Sequence, residues 1–141
     1  MHLNKTSQRS IMKTLMIITL SFISHTGYSQ IMLGYTVQDV LKQIPKLQHK
    51  SNGKEVYLSY ETEKYEWIYY FEDENKTCEM NMVISKTNSW LSTMIEEYNK
   101  NAVRISTTKW DYYLQGSVVR IDLDYNKEKD QYTFFYYKRH D

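Results

Sequence analysis

Residues 130–140 read DQYTFFYYKRH, and five of these eleven residues are aromatic. Successive side chains of a β-strand point to opposite faces. Tyr132, Phe134 and Tyr136 therefore share one face of the predicted strand, and the residues between them share the other. We expect the first face to be buried, because its three aromatic rings gain free energy when they are removed from water. Whether the second face is buried or open depends on what the rest of the chain can place against it.

Two other segments have the spacing of amphipathic helices. In GYTVQDVLKQIP, residues 34–45, Thr36 and Asp39 resemble a capping box, and apolar residues follow helical spacing up to the terminal proline. In NSWLSTMIEEYNKNA, residues 88–102, Asn88 is predicted to cap the helix. The apolar stripes are Val37, Val40, Leu41 and Ile44 in the first segment, and Leu91, Met94, Ile95 and Tyr98 in the second.

These helices and the strands that follow them align at a constant offset of 54 residues. The predicted strands are residues 54–61, 65–72 and 77–83 after the first helix, and residues 109–115, 119–126 and 131–137 after the second. The pattern predicts an α+β fold of tandem α-β-β-β repeats, with halves of about 34–86 and 87–141 in a single domain, 30–141. We expect an antiparallel sheet of up to six strands with two helices packed on one face. Two explanations of the pattern stay open. One is an old duplication of the segment, and the other is chance together with the requirement that every helix and strand has one apolar face.

The same alignment predicts which side chains face the core. It places Cys78, Met80 and Met82 on the core face, and Glu79, Asn81 and Val83 on the open face. Tyrosine on an open sheet face offers an apolar ring and a hydroxyl, which suits protein or glycan contacts. Strand propensity alone is an alternative explanation for these tyrosines. The candidate partner-binding residues are Tyr57, Ile68, Tyr70, Tyr113, Phe135 and Tyr137.

The beginning of the chain resembles an export signal. Three basic residues precede an apolar run at residues 15–23, which is shorter than the roughly 20 residues that span a bilayer. Small residues then precede a plausible cleavage site before Gln30. This segment is similar to the exported leaders of Bacteroidetes-type bacteria, with translation starting at Met1 or Met12. Residues 1–29 are therefore predicted to be a signal peptide, the alternative being an N-terminal membrane anchor. The mature protein is predicted to be secreted or periplasmic, with no membrane span.

Charge and cysteine content narrow the functional classes. Three of the 18 basic residues lie in the predicted signal peptide, which has no acidic residue, so the rest has 15 basic and 17 acidic residues. A formal charge of −2 gives no attraction to nucleic acid or to anionic lipid. Cys78 is the only cysteine, so we expect no internal disulfide. We expect this thiol to be a small buried apolar group, the alternative being a reactive thiol.

The motifs that carry catalysis or bind cofactors are not found. After the predicted signal peptide only His49 and His140 remain, and neither has a neighbour at metal-ligand spacing. Only three glycines, Gly34, Gly53 and Gly116, follow the predicted signal peptide, and they are too far apart to form a glycine-rich phosphate-binding loop. Asp122, Asp124 and Asn126 alternate as in a calcium loop, but a lysine stands where the loop needs glycine. The sequence therefore predicts no catalytic residue, no metal and no cofactor.

Residues 34–45 resemble the opening G-x-[ST]-x-x-x-V-x-x-x-[LI]-[GP] of small bacterial envelope proteins related to the β-lactamase inhibitor protein and to the small lipoprotein of the outer-membrane assembly machine. The matching residues are Gly34, Thr36, Val40, Ile44 and Pro45. The resemblance implies a non-enzymatic protein that presents a sheet to a partner protein. This chain differs in having one predicted helix per half, no disulfides and no lipidated cysteine.

Together these observations predict a small exported binding module, not an enzyme, that contacts a protein or envelope partner through an aromatic sheet face. One alternative is a small secreted hydrolase that uses surface carboxylates. Another is a carrier of apolar ligands, with a cavity among Met80, Met82, Met94 and Tyr98.

Overall fold

The computed structural model describes residues 31–114 and 116–140. About a fifth of these residues are helical and about half are in strands. The helices are α1 (Val37–Gln43) and α2 (Asn88–Asn101). The strands are β1 (Gln48–Asn52), β2 (Glu55–Glu61), β3 (Tyr65–Phe71), β4 (Met80–Ser85), β5 (Val103–Arg104), β6 (Lys109–Leu114), β7 (Ser117–Asn126) and β8 (Gln131–Lys138). The predicted signal peptide, residues 1–29, lies outside the described residues.

All eight strands form one antiparallel sheet in the order β1-β2-β3-β4-β8-β7-β6-β5. Short turns join β1 to β2, β2 to β3 and β7 to β8, whereas residues 72–79 join β3 to β4. In the turn between β1 and β2, Gly53 has a φ of 81°, a conformation that glycine adopts without steric cost. Of the helices in residues 31–114 and 116–140, neither is both long and apolar enough to cross a membrane.

A threonine side chain caps the N-terminus of each helix. The Thr36 Oγ1 accepts a hydrogen bond of 3.2 Å from the backbone N–H of Asp39, which confirms the predicted start of α1. At α2 the prediction that Asn88 is the cap is wrong. The cap is Thr87, which has an extended backbone and lies one residue before Asn88. Its Oγ1 accepts a hydrogen bond of 3.2 Å from the backbone N–H of Trp90.

The core lies on one side of the sheet, which we call the inner face. Helix α2 packs there, and its Tyr98 ring lies 5.3 Å from Phe134 and 5.7 Å from Trp110, measured between ring centroids. The Tyr98 hydroxyl also hydrogen-bonds that of Tyr136. The largest fully buried apolar and aromatic side chains of the strands are Leu58, Trp67, Tyr69, Phe71, Val83, Trp110, Ile121, Phe134 and Tyr136. Burial of such side chains contributes roughly 1.5–3 kcal/mol each.

The predicted fold class is wrong. The chain does not form a tandem α-β-β-β repeat with a six-stranded sheet and two helices packed on one face, but one large sheet of eight strands. Strands β1 and β5, which were not predicted, extend the sheet at its two edges. Helix α2 contacts β4, β5 and β6, whereas the seven-residue α1 makes no comparably extended contact with any described strand.

The predicted orientation of β4 is also wrong. Asn81 and Val83 are fully buried on the inner face, while Met80 and Met82 are half-buried on the opposite face. The Asn81 Oδ1 accepts from the backbone N–H of Met32 at 3.0 Å, and its Nδ2 donates to the Cys78 Sγ at 3.1 Å. A buried amide is tolerated because these groups satisfy it. The offset of 54, which equates Met80 with Phe134, therefore fails at this strand.

Candidate functional site

The outer face is the side of the sheet opposite the core, and its centre is apolar. Strand register places Ile68, Met82 and Phe135 directly beside one another on β3, β4 and β8. Met80 and Ile84 lie two positions away from Met82 on β4, on the same face. These five half-buried residues form the apolar strip, which is Ile68, Met80, Met82, Ile84 and Phe135.

All six predicted partner-binding residues lie on the outer face. Ile68 and Phe135 belong to the apolar strip, and Tyr70 and Tyr137 flank Met80 on either side in the register. Tyr57 lies directly beside Tyr70 on β2. Tyr113 is separate from them: it lies on β6 near the edge of the sheet and is 63% exposed.

The sequence prediction missed three members of the strip, which are Met80, Met82 and Ile84. In MNMVIS, residues 80–85, the methionines and isoleucine form the more apolar of the two alternating sets. That set would normally be assigned to the core. Only the hydrogen-bond partners of Asn81 reverse the assignment, and one of them, the backbone N–H of Met32, comes from a residue distant in the sequence.

A carboxylate with two tyrosines borders the strip on its β2 side. The hydroxyls of Tyr70 and Tyr57 donate to Glu55 at 2.8 and 3.0 Å, and the two rings lie 5.4 Å apart. Hydrogen bonds from Tyr70 and then Tyr57 lower the pKa of Glu55. The same bond raises the pKa of Tyr70 to about 12. The two hydrogen bonds thus fix the positions of both tyrosine rings relative to the Glu55 carboxylate.

A second group of paired charges borders the strip on its β7 side. The Tyr137 hydroxyl donates to Asp122 at 2.6 Å. Asp111 accepts two bonds from Arg120, at 2.5 and 3.2 Å, and one from Arg139, at 2.9 Å. The Asp111 side chain is only 1% exposed, and the hydrogen bond from Arg120 holds its pKa below the ordinary range. The arginines compensate this buried charge.

The arrangement expected of a hydrolase is not seen in the part of the chain that the structure describes. The carboxyl pKa shifts at Glu55, Glu61 and Asp111 are downward, whereas a general acid at neutral pH needs an upward shift. An open groove of about 390 Å³ contains one carboxylate, that of Glu79. Its lining is Gly34, Thr77, Cys78, Glu79, Tyr137, Lys138 and His140. Within 31–114 and 116–140 no group of three His, Cys, Asp or Glu residues is arranged to hold a metal ion.

The residues predicted to enclose an apolar cavity are not brought together. Met80 and Met82 lie on the outer face, whereas Met94 and Tyr98 are buried on α2 against the inner face. Cys78 is buried as predicted, with 2% of its surface exposed. Burial raises the pKa of its thiol to about 12, so the thiolate needed for nucleophilic chemistry is disfavoured.

Comparisons with known proteins add no relative. The chain matches no protein-family model, no curated protein and no solved structure. The resemblance of residues 34–45 to small envelope proteins therefore stays a prediction. The geometry of the outer face is the available basis for a functional conclusion.

Proposed function

We propose that this protein is a small exported binding module, not an enzyme, and that it contacts a partner protein of the cell envelope through the outer face of its sheet. The observation that carries the proposal is the apolar strip. Five adjacent apolar side chains on three neighbouring strands keep part of their surface open to solvent. A contiguous apolar patch with a polar rim is typical of protein interaction sites.

The polar rim supports the same function. Glu55, Asp111 and Asp122 already have hydrogen-bonded partners within the protein. A binding partner that covers the strip therefore does not have to compensate these charges. Tyr57, Tyr70 and Tyr137 place rings of limited conformational freedom beside the strip, and such rings contribute strongly to protein interfaces.

The test compares two variants of the protein as affinity baits for the envelope fraction of its host. The strip variant has Ile68→Ser and Phe135→Ser. The control variant has Val103→Ser and Tyr125→Ser, which remove exposed apolar side chains away from the strip. The wild type and the control are expected to recover the same envelope protein, and the strip variant to lose it. The recovered protein, once purified, should bind with a Kd raised at least tenfold by Phe135→Ser.

Recovery of the same protein by the strip variant, or an unchanged Kd for purified Phe135→Ser, would contradict the proposal. Circular dichroism and thermal melting of each variant check that the fold is retained. We expect it to be retained, because the substituted side chains are exposed or half-buried.

A further inference from the structure

One row of the outer face has acidic residues at both ends. Strand register places Glu66, Ile84, Thr133 and Asp124 side by side on β3, β4, β8 and β7. Ile84 belongs to the apolar strip, and Met82 and Phe135 lie in the adjacent row. The two carboxylates thus lie on opposite sides of the strip at one end of the face. Neighbouring strands are about 4.8 Å apart, so three strand spacings separate the carboxylates by about 14 Å.

These carboxylates differ from the others beside the strip. Glu55 has two tyrosine partners, Asp122 has Tyr137, and Asp111 has two arginines. Within residues 31–114 and 116–140 the side-chain carboxylates of Glu66 and Asp124 have no hydrogen bond and no ion pair. Their negative charges remain available to a binding partner.

Glu66 lies beside a second carboxylate but does not share its counter-charge. Glu61 is directly opposite on β2, and Lys86 pairs with Glu61. A cationic group of a partner placed beside Glu66 would supply a counter-charge that the described residues do not give it.

We propose that the occupant of the outer face is an amphipathic helix of a partner protein that lies across the strands, with its apolar side on the strip and a lysine or arginine at each end, beside Glu66 and Asp124. The inference rests on the proposed function and specifies the partner's chemistry. A helix rises 1.5 Å per residue and makes one turn every 3.6 residues. Basic residues eleven positions apart therefore lie on the same side of the helix about 16 Å apart, and their long side chains can reach both carboxylates.

Two other occupants fit the charges less well. An anionic membrane surface would be repelled by Glu66 and Asp124. On its own outer face a second copy of the chain would bring Lys109, Arg120 and Arg139, which are already paired with its own carboxylates, and Lys50, which lies on the edge strand β1 and away from the strip. A basic amphipathic helix supplies both the apolar surface and the missing cations.

The probe is a synthetic amphipathic peptide of about 14 residues with leucines along one side and two lysines eleven positions apart, so that both lysines lie on the same side of the helix. A matched peptide has glutamates in place of the two lysines. Fluorescence anisotropy of the labelled peptides, titrated with the protein, gives the two Kd values. The lysine peptide is expected to bind at least tenfold more tightly than the glutamate peptide. The double variant Glu66→Lys plus Asp124→Lys should reverse the preference, and added salt should reduce it.

The outcomes separate this inference from the proposed function. An unchanged preference in the double variant, with binding of both peptides lost in Phe135→Ser, would overturn the inference and leave the binding face in place. Binding unaffected by Phe135→Ser would contradict both. Absence of peptide binding at millimolar concentration would overturn the inference. So would binding to phosphatidylglycerol vesicles, or a dimer in sedimentation equilibrium that the double variant dissociates.

Discussion

Asp111 is almost fully buried on the outer face, because Arg120 and Arg139 cover it and neutralise its charge. The sequence places an aspartate at an alternating position of a predicted strand, which indicates a solvated residue. It gives no sign that one arginine from β7 and another from the end of the chain converge on this carboxylate. Burial of a single residue thus depends on contacts between strands that pattern analysis does not show.

Asp111→Asn should destabilise the protein by about 3 kcal/mol, because it removes one partner of a buried ionic group and leaves two arginines without their counter-charge. Denaturant unfolding at pH 7 measures the loss. Asp124→Asn, at an exposed carboxylate of the next strand, is the control and should change the free energy of unfolding by no more than about 0.5 kcal/mol. Equal effects of the two substitutions would show that the Asp111 group contributes no particular stability.

The pH dependence of this effect has a definite sign. The pKa of Asp111 is lower in the folded protein than in the unfolded chain, where an aspartate titrates near about 3.9. Its stabilisation is therefore complete above the unfolded pKa and is lost as the pH falls through the folded pKa. The difference in Tm between wild type and Asp111→Asn should be large at pH 7 and shrink below about pH 4. A constant difference down to pH 2 would contradict this origin.

At the scale of elements, local patterns predict where most helices and strands lie. The predicted positions of β2, β3, β6, β7 and β8 agree with the structure to within about two residues, as do both helices. Strand β1 was missed because its side chains are all exposed and polar, so it has no alternating pattern. Its signal was the Asn52–Gly53 dipeptide, which is typical of a tight hairpin turn. Strand β5 has two residues, too few for any periodicity.

The start of α2 offers a test of capping. Thr87→Ala should lower the free energy of unfolding by about 1 kcal/mol, because the backbone N–H of Trp90 loses its acceptor at a part-buried helix end. Asn88→Ala is the matched control, since Asn88 is exposed and lies inside the helix. Its effect should stay below about 0.5 kcal/mol. Thermal melting of the two variants compares their loss of stability. A larger loss for Asn88→Ala would show that Asn88 caps the helix, as the sequence predicted.

At the scale of the whole molecule, the sequence predicts an open aromatic face but misplaces its centre. The six predicted residues share the outer face, since strand alternation fixes their orientation once the core residues of β2, β3, β6 and β8 are assigned. The middle of the face comes from β4, whose orientation depends on Asn81 and its two partners, the nearby Cys78 and the distant Met32. The fold class was misjudged because the two edge strands and the short α1 carry too little apolar pattern to specify their packing.

The division of the sheet into a core face and a binding face is the central claim. It is tested most directly at two adjacent residues of β8. Phe134 is fully buried on the inner face, and Phe135 is half-buried in the apolar strip. Denaturant unfolding of Phe134→Ala and Phe135→Ala compares the same change on the two faces. Phe134→Ala is expected to cost about 3–5 kcal/mol and Phe135→Ala less than about 1.5 kcal/mol. Equal losses, or a greater loss for Phe135→Ala, would contradict the account.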